Sequence, residues 1–248
     1  MTLRVALFSD VHGNHTALEA VLGELERLGP FDLTICAGDL VFLGPSPKEV
    51  VERLQNSHII CLRGNCDGYV TGQIPDMDPP NETVRRIQAA HKEWTLTQLM
   101  PEQMDWLAER PVEYRISPLG SEDPDADLLV THATPRSFHD DPRLCAPGVP
   151  AEEARSVFGA AGVRTVAFGH AHGHFVSSYD DLTLVNVSST SVTPDARPAA
   201  AFTIATWQGD HWTFQQHCVT YDPSPEVERI RERRMPEHPW WQALGHQG

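Results

Sequence analysis

Five short apolar runs recur along the chain, and each ends abruptly in polar residues. The first, residues 3–8, is near-continuous in apolar character, as expected of a strand covered on both faces. Residues 33–37, 58–62, 128–131 and 165–168 repeat it. Helical periods separate the first three. Ala17, Leu18, Val21, Leu22, Leu25 and Leu28 form a stripe, with Asn14 as N-cap and Gly29-Pro30 as the stop. A second helix opens at residues 44–49, where Ser46 is placed to cap, Pro47 suits the first turn and Glu49 completes a capping box. It runs to Gln55. Strand–helix–strand alternation predicts parallel pairing with right-handed crossovers.

After Tyr69 the pattern changes. Residues 70–80 are rich in turn formers, and residues 81–100 place Val84, Ile87, Ala90, His91, Trp94 and Leu99 at helical spacing as an expected inner face. A shorter helix is expected over 101–109. Residues 70–110 together read as a lid-like helical insertion, too poor in apolar side chains for a core of its own. Beta structure returns at 112–116, and an acidic turn at 120–127 lacks the ordered spacing of a calcium loop. A helix is expected over 152–161. Short strands over 174–179, 183–187, 200–206 and 212–218 predict an antiparallel meander. The expected organisation is one domain over 1–223, then a charged helix and tail over 224–248. Trp240 and Trp241 in that tail are expected to dock on the body or on a neighbouring subunit, which makes a homo-oligomer one reading.

Composition narrows the function classes. The chain has 248 residues, 40% of them hydrophobic, enough for one sizeable core. No stretch is apolar long enough to span a bilayer, and the first strand begins at once, so the expected location is the cytoplasm. Five irregularly spaced cysteines read as reduced thiols there. A formal charge of −15 disfavours a nucleic-acid polymer as partner, because such a surface is normally basic.

The chemistry sits where the apolar runs stop. Asp10 and His12 follow the first, and at spacing two they would leave a strand on one face. Asp39 follows the second, Asn65 the third, His132 the fourth, and His170 with His172 the fifth. In an open α/β sheet, sites form beyond the carboxyl ends of the strands, so these side chains would gather on one edge. Each has a bland explanation as a turn, a cap or a satisfied core histidine. All of those explanations must hold at once for the site to vanish. Two carboxylates, one amide and four imidazoles are too many donors for one ion and suit two divalent cations sharing a ligand. Glycines at 13, 38, 64, 169 and 173 fit the sharp turns such a site needs.

The ordered set Asp-x-His, Gly-Asp, Gly-Asn, His and Gly-His-x-His resembles the calcineurin-like metallophosphoesterases, and among them the compact bacterial and archaeal phosphoesterases, over residues 3–220. The resemblance implies an α/β fold: a four-layer αββα sandwich of two mixed sheets with a helical insertion. It implies that Asp10, His12, Asp39 and His172 hold one metal. Asp39 would bridge to a second, held also by Asn65, His132 and His170. Manganese is the metal implied, with iron, zinc or nickel as alternatives. The implied activity is hydrolysis of a small phosphate ester or diester by a hydroxide formed between the metals.

One position departs from the usual pattern. Many relatives carry Gly-Asn-His-Asp/Glu, whose histidine protonates the leaving group; here Cys66 stands in that place, followed by Asp67. A thiol donates a hydrogen bond weakly, so the acid is unassigned, and a stabilised leaving group such as a pyrophosphate-linked phosphate is one consequence. Asp39, Asn65, Cys66, Asp67 and Arg63 are the expected catalytic set. Arg63 and Arg136 are candidates to hold phosphate or to form structural ion pairs, and His139 is a candidate proton donor. The competing readings are a catalytically weak metal-binding scaffold for protein–protein interaction, a dinucleoside polyphosphate hydrolase and a protein phosphatase.

Overall fold

Each apolar run becomes a strand whose alternate side chains enter different layers. The computed structural model describes residues 2–245 except Asp76, Asp78, Leu119 and residues 194–196, so residues 246–248 of the tail lie outside the described part. Strands β1 (Leu3–Phe8), β2 (Leu33–Cys36) and β3 (Ile60–Cys61) pair in parallel. Helices α1 (His15–Leu28) and α2 (Pro47–Gln55) connect them, as the alternation predicts. Val5 and Leu7 of β1 face a core shared with a second sheet, while Ala6 and Phe8 face the helices. That period-2 split is why a strand buried on both sides reads as continuously apolar.

The second sheet contains β4 (Glu113–Ile116), β5 (Leu128–Thr131), β6 (Thr165–Phe168), β7 (Phe175–Tyr179) and β8 (Leu182–Asn186), in the order β4-β5-β6-β8-β7. Leu128, Val130 and Ala167 meet the first sheet, and Leu129, Val166 and Phe168 pack on α6 (Ala151–Phe158). Strands β9 (Ala199–Trp207) and β10 (Trp212–Thr220) complete the first sheet, in the order β10-β9-β1-β2-β3. Two mixed five-stranded sheets flanked by helices are the four layers expected. The expected meander does not form as one unit. It splits into two hairpins, β7–β8 in one sheet and β9–β10 in the other, because β8 pairs in parallel with β6 and β9 antiparallel with β1.

Four further elements surround the strand ends: α3 (Asn65–Val70), α4 (Glu82–Gln98), α5 (Pro101–Ala108) and α7 (Ser224–Glu232). The expected apolar inner face of α4 is corrected. Its buried residues are His91 and Thr95, Ala90 is exposed, and Leu99 is buried just beyond its end. Helix α4 leans on the tail, where Trp94 Nε1 donates to the Arg233 carbonyl at 3.1 Å. The tail forms a last helix, α8 (Pro239–Gly245). Trp240 and Trp241 are buried against the body with Met235, Trp94, Val192 and Ile230, and Trp241 Nε1 donates to the Leu43 carbonyl at 2.7 Å. Asn14 caps α1 as expected, accepting from the Ala17 amide at 3.0 Å. Ser46 and Glu49 do not make the expected box on α2; they bind Glu226 of α7 and Arg233, just past its end, instead. Among the described residues, no helix is long and apolar enough to cross a membrane.

Candidate metal centre

The loops after β1, β2, β5 and β6 and the start of α3 converge between the two sheets. Asp10 and His12 do not meet by strand alternation, since β1 ends at Phe8. They meet because both residues turn left-handed, with φ of 56° and 48°. Asp39, His170 and His172 do the same, at 54°, 66° and 57°. Asp, Asn and His tolerate this region best among residues with a side chain, and each such turn still costs roughly 1–3 kcal/mol unless the surroundings enforce it. The enforcing contacts are backbone ones. Asp10 N donates to Gly38 O at 2.9 Å, His12 N to Asp39 O at 2.9 Å and Gly169 N to His132 O at 3.0 Å. Gly64 and Gly169 are needed for close approach. A Cβ on Gly64 would strike the Asp39 carboxylate, and one on Gly169 would strike Ser9 Oγ and Asp10 Oδ2. A Cβ on Gly173, in contrast, would make only an ordinary contact, 3.9 Å from Ala171 O, so no close approach explains it.

Two donor groups result, sharing Asp39. In the first, His172 Nε2 lies 3.1 Å from Asp10 Oδ1 and 3.3 Å from His12 Nε2. His12 Nε2 is 3.8 Å from Asp10 Oδ1 and 3.8 Å from Asp39 Oδ2. In the second, His132 Nε2 lies 2.9 Å from Asn65 Oδ1 and 3.4 Å from Asp39 Oδ1. The outer nitrogens are already spoken for: His132 Nδ1 donates to the Ala37 carbonyl at 2.8 Å and His170 Nε2 to the Asp140 carbonyl at 2.9 Å. Such partners fix the tautomer and leave the other nitrogen to a metal. Asp10, His12, Asp39 and His132 are almost wholly buried, while Asn65, His170 and His172 are half-buried and give access.

The electrostatics fit a cation. Burial pushes the Asp39 carboxyl up, but His132, His12 and His170 overrule it and hold it below the usual range. Asp10 behaves alike, with His172 its main partner against burial. Against the opposing pull of burial, Asp39 drives His132 up to about 9, and Asp10 raises His172. Burial lowers His12, and burial with His132 lowers His170 to about 4. Asp39 and Asp10 thus each favour a proton on the imidazole beside them. Divalent cations would displace those protons, the usual behaviour of a ligand set. The groups Asp10–His12–His172, Asp10–Asp39–His132 and His12–Asp39–Cys66 each bring donor atoms within 4.8 Å of one another.

The other expected site residues have structural attachments. The Cys66 amide donates to Asp39 Oδ1 at 2.8 Å, and its thiol is buried and pushed well up by burial and by Asp39. Asp67 does not face the cleft. It accepts from the Leu40, Val41 and Gly64 amides at 2.9, 3.1 and 2.9 Å, tying the Asp39 loop to the Asn65 loop. Arg63 donates to the Ala108 carbonyl and lies over the Phe138 ring at 5.0 Å, and Arg136 pairs with Asp140 at 3.0 Å. His139 lines a cavity together with Asn65 and His170.

Sequence reasoning missed the residues that brace this centre. Ser188, Ser189, Thr190 and Ser191 wrap the Asp10 and His172 backbone. Ser189 Oγ donates to Asp10 O at 3.0 Å and Ser188 Oγ to His172 O at 2.9 Å. Asn186 holds the Gly169 carbonyl at 2.8 Å. The one available signal was a run of small hydroxyls straight after an apolar strand.

Comparison with known proteins agrees with this geometry. Residues 3–174 match the model of the calcineurin-like phosphoesterases. An uncharacterized protein of Methanocaldococcus jannaschii is 25% identical, covering 94% of each chain. The crystal structure of a metallophosphoesterase from Sphaerobacter thermophilus superposes with a TM-score of 0.73 at 25% identity, covering 98% of both chains. A hypothetical protein from Pyrococcus horikoshii shares the fold, with a TM-score of 0.76 at 19% identity over 98% of this chain and 96% of that one. With a match over more than half its length and a ligand-rich sheet edge of the kind that family carries, the chain belongs to the calcineurin-like phosphoesterases.

Proposed function

We propose that the protein hydrolyses a small phosphate ester or diester with the help of two divalent cations. The observation that carries this reading is the placement of Asp39. Its Oδ2 faces His12 and its Oδ1 faces His132, so one carboxylate serves two donor groups. Asp10, His12, His172 and Asp39 would hold the first cation; Asn65, His132, His170 and Asp39 would hold the second. Mixed oxygen and nitrogen donors suit manganese, iron, zinc or nickel, and manganese is the one we assign. When bound, such a pair supplies Lewis acidity toward phosphoryl oxygens and a nucleophile from water at neutral pH.

The chain's own residues supply the rest. The Ala37 and Asp140 carbonyls hold the His132 and His170 rings in one orientation. Asp67 keeps Asp39 and Asn65 in register through three backbone amides. Asn65 and His170 border the cavity through which substrate enters, and Ile74, Met77 and Gln88 of the helical insertion wall it. All seven donor positions are filled, which a binding-only scaffold does not require. Four buried cysteines with free thiols, Cys36, Cys61, Cys66 and Cys145, support a reducing compartment, the cytoplasm.

The test is turnover of p-nitrophenyl phosphate and bis(p-nitrophenyl) phosphate by protein stripped with chelator and reloaded with manganese. Reloading should restore activity, and Asp39→Asn should remove about a hundredfold or more. Equal activity in stripped and reloaded protein would contradict the proposal.

A further inference from the structure

The cavity beside Asn65 and His170 has a composition that the metal ligands do not explain. It measures about 480 Å³ and lies between α4 and the loop over residues 139–142. Ile74 and Met77 give it an apolar wall, and Gln88 and His139 offer hydrogen-bonding groups. Asp140 and Asp141 also line it. No arginine or lysine among the described residues lines it. The cations nearest in sequence are engaged elsewhere. Arg136 is paired with Asp140 at 3.0 Å, Arg143 with Asp141 at 2.5 Å, and Arg63 is spent on the Ala108 carbonyl and the Phe138 ring.

A second phosphate needs its own counter-charge or a set of N–H donors, as phosphate sites elsewhere supply from arginine, lysine or helix N-termini. The two lining carboxylates, Asp140 and Asp141, each take an arginine as partner, so these pairs offer an anion no spare counter-charge. We propose that it is the leaving-group subsite, and that it admits uncharged organic groups with an apolar body while disfavouring anionic ones, for which it offers no counter-charge. The inference rests on the phosphoesterase reading and narrows it. The substrate class is an ester carrying a single phosphate. Nucleoside polyphosphates and dinucleoside polyphosphates are disfavoured, although their phosphoanhydride leaving groups depart more easily. The departing alcohol lies against Ile74 and Met77, with Gln88 and His139 as its hydrogen-bonding partners.

Two measurements on manganese-loaded protein test this. The first is kcat/KM for phenyl phosphates bearing a para carboxylate, no substituent or a para trimethylammonium group, corrected for leaving-group pKa. The carboxylate should fall at least about tenfold below the unsubstituted compound, the scale of burying one charge without a partner. The second is calorimetric binding of inorganic phosphate and pyrophosphate, with metal content measured afterwards. Pyrophosphate should bind no more than about threefold tighter than phosphate. Gln88→Lys, on the partly exposed face of α4, should tighten pyrophosphate about tenfold and leave phosphate unchanged. Asp141→Asn, which frees Arg143, should shift both readouts the same way. A flat para series, or pyrophosphate binding tighter than tenfold in the natural protein, would overturn the inference while leaving the phosphoesterase reading intact. Failure of the loaded protein to bind or turn over any phosphate would remove that reading, and this inference with it.

Discussion

Replacing Glu226 should loosen the metal loops from behind. Its carboxylate is fully buried, yet it lies far from the donor groups in sequence. Oε1 accepts from Thr16 N at 2.9 Å, Thr16 Oγ1 at 2.8 Å and Arg229 Nη1 at 2.7 Å, and Oε2 accepts from Ser46 Oγ at 2.6 Å. Thr16 is in the first turn of α1 and Ser46 is the N-cap of α2, so two helix N-termini point at one anion. Ser46 N in turn donates to Gly13 O at 2.8 Å, beside His12. Glu226→Ala strands a buried amide, two hydroxyls and a guanidinium, and breaking a buried ion pair in this way costs about 3–5 kcal/mol. Glu226→Gln keeps the shape and an acceptor and loses the charge, so about 1–2 kcal/mol is expected. Against a typical total of about 5–15 kcal/mol, the alanine variant is severely weakened. Urea unfolding followed by tryptophan fluorescence measures both. The reasoning fails if the alanine variant loses less than about 1 kcal/mol, or if glutamine costs as much as alanine.

Further outcomes follow from the same contacts. Gly64→Ala drives a methyl into the Asp39 carboxylate, and should lower stability by about 1–3 kcal/mol and drop metal content below that of the natural protein; unchanged melting and metal content would count against the close approach. His238 is pushed down to about 4 by burial and by His91, so between about pH 6.5 and 4 the undocked tail takes up a proton that the docked tail refuses. Docking should therefore be intact above that window and weaken by up to about 3 kcal/mol through it, read as loss of amide protection in α8 on acidification; equal protection at both ends of the window would refute this. Cys66→Ala should leave the dependence of rate on leaving-group pKa unchanged, because the thiol is buried with its amide committed to Asp39; a steeper dependence in the variant would make the thiol the acid.

The apolar runs made the sheets legible. Five strands, two crossovers and the places where polar side chains follow them could be read because burial on both faces leaves little room for polar residues before a strand ends. What could not be read was geometry set by neighbours. Asp10 and His12 converge through left-handed turns rather than strand alternation, and nothing local announces a positive φ at a non-glycine residue. Asp67 reads as catalytic from its place in the motif, but its oxygens are taken by three amides from two loops. Helix α4 buries His91 and Thr95 because it packs on the tail, a contact between segments far apart in the chain. Glu226 sat in a charged stretch that reads as solvated, and only the folded arrangement of α1, α2 and α7 makes it a buried clamp.

Metal stoichiometry tests the central claim most directly. After chelation, manganese loading and removal of free metal, elemental analysis should find two ions per chain in the natural protein. Asp39→Ala should lose both, since each donor group takes one of its oxygens. Asn65→Ala should keep the first and lose the second. Fewer than one ion per chain in the loaded natural protein, or a full ion retained without Asp39, would contradict the account.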